Sequence, residues 1–210
     1  MSKILVVFDV DSTLIEDEVI ELLADVAGKR AQVAEVTERA MRGELDFAES
    51  LRERVAVLAG LPESVFADVY ARITPTKGVQ ELIDAVHAGG GLVGAVSGGF
   101  TQVLTPLAAK LGLDFARAND LEIKDGKLTG TVEGRIVDRA VKAESLLEWA
   151  AASGIDPKNT VAVGDGANDL DMLATAGLGV AFNAKPIVRQ TAQIVIERQD
   201  LRELIPLLGL

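Results

Sequence analysis

The chain has 210 residues, 49% hydrophobic and 25% charged, a balance that describes a folded globular protein of one or two domains and excludes a disordered tail. It carries 21 basic against 32 acidic residues, a net charge of −11, which disfavours nucleic acid and anionic membrane as general partners. With no cysteine and one histidine, His87, it can use neither thiolate chemistry nor a site of two imidazoles. Any catalysis must run on carboxylates, hydroxyls, amines or a hard metal ion.

No apolar run approaches the roughly 20 residues that span a bilayer, and no basic segment followed by an apolar stretch opens the chain, so neither a membrane span nor a secretory leader is expected. Residues 4–8 (Ile4-Leu5-Val6-Val7-Phe8) form a continuous apolar, β-branched run that predicts a buried parallel strand. It ends in a polar burst, Asp9-Val10-Asp11-Ser12-Thr13. Residues 15–73 then repeat apolar positions at helical spacing and predict four helices in a small bundle. Within them Asp46 and Glu49 have the spacing of a capping box, and Pro62 suits the first turn of the next helix.

From residue 76 strands and helices alternate. The pattern predicts a helix to about residue 88, a strand at 92–96 ending in Ser97-Gly98-Gly99, and a helix to about 111. A β-hairpin follows at 121–137 around Asp125-Gly126, then a helix at 140–152 and a strand at 160–163 ending in Gly164-Asp165-Gly166-Ala167-Asn168-Asp169. A further helix and short strands at 178–182 and 194–196 complete it. The expected fold is a Rossmann-like α/β sheet, parallel and flanked by helices, with a helical insert after the first strand.

Three predicted strands end in polar, glycine-rich loops, and in such sheets ligands bind at the carboxyl ends of strands. Each loop alone could be an ordinary turn; three in succession are harder to explain that way. There is no Walker A loop, no Gly-x-Gly-x-x-Gly after the first strand and no Gly-x-Ser-x-Gly elbow. His87, just ahead of a glycine stop, suits a helix end rather than catalysis. Carboxylates from two strand ends suit a hard cation such as Mg²⁺ shared with a phosphate. One aspartate can then attack phosphorus, and another can handle the leaving group's proton.

The motifs Asp9-x-Asp11-x-Thr13, Ser97, a lysine, and Gly164-Asp165-Gly166-x-Asn168-Asp169 resemble the four motifs of the haloacid dehalogenase (HAD) superfamily. Asp46-Phe47-Ala48-Glu49-Ser50-Leu51-Arg52-Glu53-Arg54-Val55 and Lys124-Asp125-Gly126-Lys127-Leu128-Thr129-Gly130 are similar to its phosphoserine phosphatase branch. The resemblance implies a HAD-like core of residues 1–14 and 76–210, with residues 15–75 as a cap. Some members carry an amino-terminal regulatory domain; this sequence opens on the first strand, so none is expected.

The resemblance also implies roles. Asp9 would be the nucleophile and a Mg²⁺ ligand. Asp11 would be proton donor and acceptor, and a ligand through its carbonyl. Asp165 would be a third ligand, with Asp169 orienting that set. Ser97, Gly98, Gly99 and Asn168 would hold the phosphoryl group, and Lys142 is the lysine of the third motif; Lys124, Lys127 and Lys158 read as solvated charges. Glu18 would meet the ammonium and Arg54 the carboxylate of phosphoserine. Arg52 competes with Arg54, but on a helical wheel Arg54 lies about 60° from the centre of the apolar stripe and Arg52 about 100°. An ion pair between Arg54 and an acid such as Glu18 is the plain alternative. Phe47 and Met41 could wall the site or simply fill the core.

The implied enzyme is a cytoplasmic, Mg²⁺-dependent hydrolase of a small phosphomonoester, O-phospho-L-serine, in serine biosynthesis. It has no nucleic-acid or membrane partner, and a homodimer is left open. Phosphotransfer to a small alcohol such as homoserine, hydrolysis of another phosphomonoester, and a non-catalytic phosphoryl-binding module remain as alternatives.

Overall fold

A computed structural model describes residues 3–42 and 44–210; the side chain of Met41 lies outside the described residues. Among the described residues seven strands form one sheet: β1 (Leu5–Phe8), β2 (Leu92–Phe100), β3 (Phe115–Lys124), β4 (Lys127–Glu133), β5 (Thr160–Gly164), β6 (Leu178–Phe182) and β7 (Ile194–Ile196), in the spatial order β4-β3-β2-β1-β5-β6-β7. Every pair is parallel except the β3/β4 hairpin. β1 is central, with β2 on one side and β5 on the other, so the winding reverses beside it. That reversal opens a crevice at the carboxyl ends of β1, β2 and β5.

Alternation along β1 sorts the core into two layers. Val6 and Phe8 face α5 (Val79–Ala88) and α6 (Thr101–Leu111), whereas Leu5 and Val7 face α7 (Arg139–Ala152), α8 (Leu170–Thr175) and α9 (Pro186–Thr191). A short α10 (Leu204–Leu207) closes the first layer. A strand buried on both faces reads as an unbroken apolar run, which is why residues 4–8 show no alternation in sequence.

Between β1 and α5 lie α1 (Val19–Val26), α2 (Arg30–Met41), α3 (Phe47–Ala56) and α4 (Val65–Tyr70). α1 packs on α2 and α4, and α2 on α3, so the predicted four helices do form a bundle. The chain passes into it and out of it through a narrow neck. Ile15 bridges Pro75, Glu16 N–H donates to Thr74 O (2.9 Å), and Thr76 N–H donates to Leu14 O (2.9 Å).

Two expectations need correction. Pro62 does not open a helix. The segment around it pairs with β4, Pro62 bridging Lys127 and Leu128 N–H donating to Leu61 O (2.9 Å); Glu63 and Ser64 then turn, and α4 begins only at Val65. The hairpin also starts six residues earlier than expected, at Phe115 rather than Leu121. Phe115 stacks on Trp149, with ring centroids 5.3 Å apart, and the Arg117 guanidinium sits over the same indole. Those tertiary contacts hold a strand that Asn119 and Asp120 disfavour locally. The turn itself is as expected, with positive φ at Asp125 and Gly126.

The capping box forms in full. The Asp46 carboxylate accepts from Glu49 N–H (2.8 Å), and the Glu49 carboxylate accepts from Asp46 N–H (2.9 Å). Asp46→Ala is therefore expected to lower the unfolding free energy by about 1 kcal/mol, read from the urea midpoint at constant slope. An unchanged midpoint would show that the box contributes nothing in solution.

Candidate active site

Asp9 still belongs to the sheet, its N–H donating to Val163 O (2.9 Å). Directly after it the chain leaves the sheet in an irregular turn, Val10–Leu14, in which Ser12 takes the left-handed conformation (φ 56°) rare outside glycine. The turn carries Asp11 to the cavity wall and sends Thr13 inward, where its hydroxyl donates to Asp165 Oδ1 (3.3 Å).

Lys142, fully buried on α7, is the hub. Its ammonium lies 2.7 Å from Asp9 Oδ1 and 2.7 Å from Asp169 Oδ1. Asp9 Oδ1 also accepts from Val10 N–H (2.7 Å), so among the described residues no donor reaches Asp9 Oδ2. The other oxygen of Asp169 accepts from Asp165 N–H (3.1 Å) and Gly166 N–H (2.9 Å), shaping the loop after β5. That approach needs glycine at 164, where a Cβ would lie 2.5 Å from the Asp169 carboxylate.

Four carboxylates, of Asp9, Asp11, Asp165 and Asp169, thus crowd around one ammonium. Burial, then the charge of Asp169, pushes Asp9 up to about 8 despite Lys142. Burial, then Glu18 and Asp9, holds Asp11 well above the usual carboxylate range. Burial and Asp169 raise Asp165 to about 6, with Lys185 opposing. Burial pulls Lys142 down, but Asp169 and Asp9 outweigh it and keep the ammonium charged. Oxygens of Asp9, Asp165 and Asp169 lie within 4.8 Å of one another, and Asp11 Oδ1 is buried with no partner among the described residues. An all-oxygen, charge-excessive cluster fits a hard divalent cation.

Opposite, Ser97 is buried on β2 and its hydroxyl accepts from Gly99 N–H (2.8 Å). Gly98 and Gly99 line the cavity with half-buried Asn168. The Phe47 ring of α3 lies against Gly98, 3.0 Å from where a Cβ would stand. The same cavity, about 780 Å³, reaches Glu18 and Arg54 in the helical insert. Glu18 accepts from the Ser12 hydroxyl (2.7 Å). Arg54 donates through Nε to Ser50 O (3.2 Å), and no carboxylate of the described residues comes within 4 Å of it, so the ion-pair alternative gains no support. Burial holds the Arg54 guanidinium below its ordinary range, with Glu18 and Asp11 opposing. Arg52 is exposed and does not line the cavity. Lys124, Lys127 and Lys158 are exposed too, and His87 sits at a helix end against Asp114 (2.9 Å).

All eleven expected residues therefore gather around one cavity or directly behind its wall. Two neighbours escaped the sequence reading. Lys185 lines the cavity and donates its N–H to Asp165 O (3.0 Å); the polar residues after β6 were its only signal. Asn119 lies behind Gly98 and Gly99, marked only by an asparagine inside a strand.

Residues 6–174 match the haloacid dehalogenase-like hydrolase family, and the chain belongs to it. Within that family, the chain is 54% identical over 206 residues to the phosphoserine phosphatase of Streptococcus thermophilus, covering 98% of this chain and 96% of that one. It is 59% identical over 206 residues to the phosphoserine phosphatase of Streptomyces coelicolor, of which it spans 50%. A solved structure of a phospho-aspartyl intermediate analogue of phosphoserine phosphatase superposes with a TM-score of 0.92 at 46% identity, covering 99% of each chain.

The raised carboxylates set a pH dependence. Their folded-state pKa values exceed the unfolded value of 3.8, so the stability they give is complete below 3.8 and is lost as pH rises through about 6 and about 8. With divalent cations chelated, the melting temperature is expected to fall between pH 5 and pH 8. The gain on adding a divalent cation should widen over the same window, because the ion competes with protons. A melting temperature that rises across the window in chelator would contradict this electrostatic picture.

Proposed function

We propose that the chain hydrolyses O-phospho-L-serine to L-serine and phosphate through an aspartyl-phosphate on Asp9, residues 15–75 acting as a cap over a core of residues 1–14 and 76–210. The observation that carries the reading is one continuous cavity with Asp9 and Asp11 on the core side and Glu18 and Arg54 on the insert side. The neck at Ile15 and Pro75 supports the boundary between the two parts.

Asp9 Oδ2 attacks phosphorus. Lys142 and Val10 N–H hold Oδ1, which aims the free oxygen and favours the ionised form. As the bond to the serine oxygen breaks, Asp11 gives that oxygen a proton; the raised pKa of Asp11 suits an acid that must begin protonated. Ionised Asp11 then takes a proton from water as the water attacks phosphorus, releasing phosphate and restoring Asp9. Ser97, the amides of Gly98 and Gly99, and Asn168 bind the phosphoryl oxygens. A magnesium ion held by Asp9, the Asp11 carbonyl and Asp165 would neutralise charge on those oxygens when bound. Asp169, with both oxygens engaged by Lys142 and the loop amides, orients the set instead of ligating. Glu18 receives the ammonium and Arg54 the carboxylate, a planar fork suited to two parallel hydrogen bonds. The reaction is the last step of serine biosynthesis, and its setting is the cytoplasm.

A phosphate-release screen over phosphoserine, phosphothreonine, phosphoethanolamine and sugar phosphates tests the substrate, and added alcohols reveal any transferase product. Asp9→Asn should abolish both turnover and trapped phosphoenzyme; phosphoenzyme in that variant would sink the assignment of the nucleophile. Arg54→Ala should lose about 10- to 150-fold in kcat/KM on phosphoserine, the scale of one charge-assisted contact, yet spare phosphoethanolamine, which has no carboxylate. Glu18→Gln should do the reverse, sparing phosphoglycolate. Equal losses of Arg54→Ala on phosphoserine and phosphoethanolamine would remove the carboxylate contact.

A further inference from the structure

β2 and β3 do not pair evenly. Val96 faces Arg117 and Phe100 faces Asn119, so residues 97–99 stand against Ala118 alone. Such a bulge strips backbone groups of their partners across the sheet, and here those groups belong to the loop that lines the cavity. The Asn119 side chain supplies what the strand cannot. Its Nδ2 donates to Gly98 O (2.9 Å) and to Gly99 O (3.3 Å), and its Oδ1 accepts from Val137 N–H (2.7 Å). The residue is 1% exposed, so these bonds have no competition from water.

The consequences follow from peptide geometry. Across a trans peptide the carbonyl and the following N–H point in opposite directions. Holding Gly98 O toward β3 turns Gly99 N–H away from it, to the Ser97 hydroxyl and the cavity. Holding Gly99 O does the same for Phe100 N–H. The third bond reaches the start of α7. Val137 precedes Asp138, whose side chain caps that helix on Val141 N–H (2.9 Å) and whose carbonyl accepts from Lys142 N–H (3.0 Å).

We propose that Asn119 is a positioning residue for phosphoryl transfer: its carboxamide stands in for strand backbone at the bulge, aims the N–H groups of Gly99 and Phe100, and locks the 97–99 loop to the helix that bears Lys142. This rests on the phosphoryl site assigned above and adds that the phosphoryl end of the substrate depends on Asn119 while the amino-acid end does not.

Asn119→Asp keeps the shape and the acceptor for Val137 N–H, but removes both donations and sets a carboxylate against two carbonyl oxygens. Asn119→Ser removes them without adding charge. Both variants are assayed at saturating Mg²⁺, with inorganic phosphate and L-serine as inhibitors. In each, kcat should fall about 10- to 100-fold and the inhibition constant for phosphate should rise about tenfold, with that for L-serine within twofold of wild type. The proposal is overturned if kcat and phosphate inhibition stay within twofold of wild type, or if L-serine inhibition weakens as much as phosphate inhibition. Failure of both variants to fold would assign Asn119 to the sheet alone and overturn it equally. The wild type keeps the two readings apart. If it ignores phosphoserine, the proposed substrate falls, and the phosphate comparison is read with whichever phosphomonoester it hydrolyses.

Discussion

An ammonium sealed between two carboxylates is the interaction on which the rest of this structure depends. Lys142 alone would be costly to bury, and Asp9 and Asp169 would be costlier still without it. Each is tolerable only because the others are present. The three come from the end of β1, from α7 and from the loop after β5, so their mutual need fixes how two strands and a helix meet. Asp169 extends the same logic to backbone, its second oxygen gathering the amides of Asp165 and Gly166. The cluster keeps an excess of negative charge, and that excess makes it receptive to a cation.

Topology supplies the place for the cluster. Because β1 runs between β2 and β5, the loops following all three open on one crevice. The two apolar layers, one on each face of the sheet, hold those strands rigidly, so the polar groups at their tips need little support of their own. Where extra support is needed, at the bulge in β2, it comes from a side chain of the neighbouring strand.

The parts legible in the sequence were those whose chemistry and local structure share the same few residues. The run Ile4-Leu5-Val6-Val7-Phe8 announces a buried strand, and the aspartates after it announce a site. Ser97-Gly98-Gly99 and Gly164-Asp165-Gly166 are legible for the same reason. Lys142 is different: nothing in its neighbours distinguishes it from a solvated lysine, and only its likeness to a known pattern singled it out. Asn119 was illegible because its role exists only once β2 bulges opposite it, a relation between strands that no window along the chain contains. Pro62 was misread because its pairing with β4 joins segments 65 residues apart and overrides the local helix signal.

The irregular turn after β1 has a consequence for modularity. Ser12 N–H donates to Asp17 O (3.3 Å) and its hydroxyl to Glu18, so the backbone that presents Asp11 is tied to the last residues before α1. The helical insert is therefore not a detachable accessory, since its first residues form part of the scaffold of the turn. A chimera that exchanges the insert at the neck, between residues 15 and 75, would cut those ties and disturb Asp11 whatever the new helices were. A splice placed beyond Glu18 would leave the turn whole, so the unit that can be exchanged between such proteins is shorter at its amino-terminal end than the visible lobe of helices.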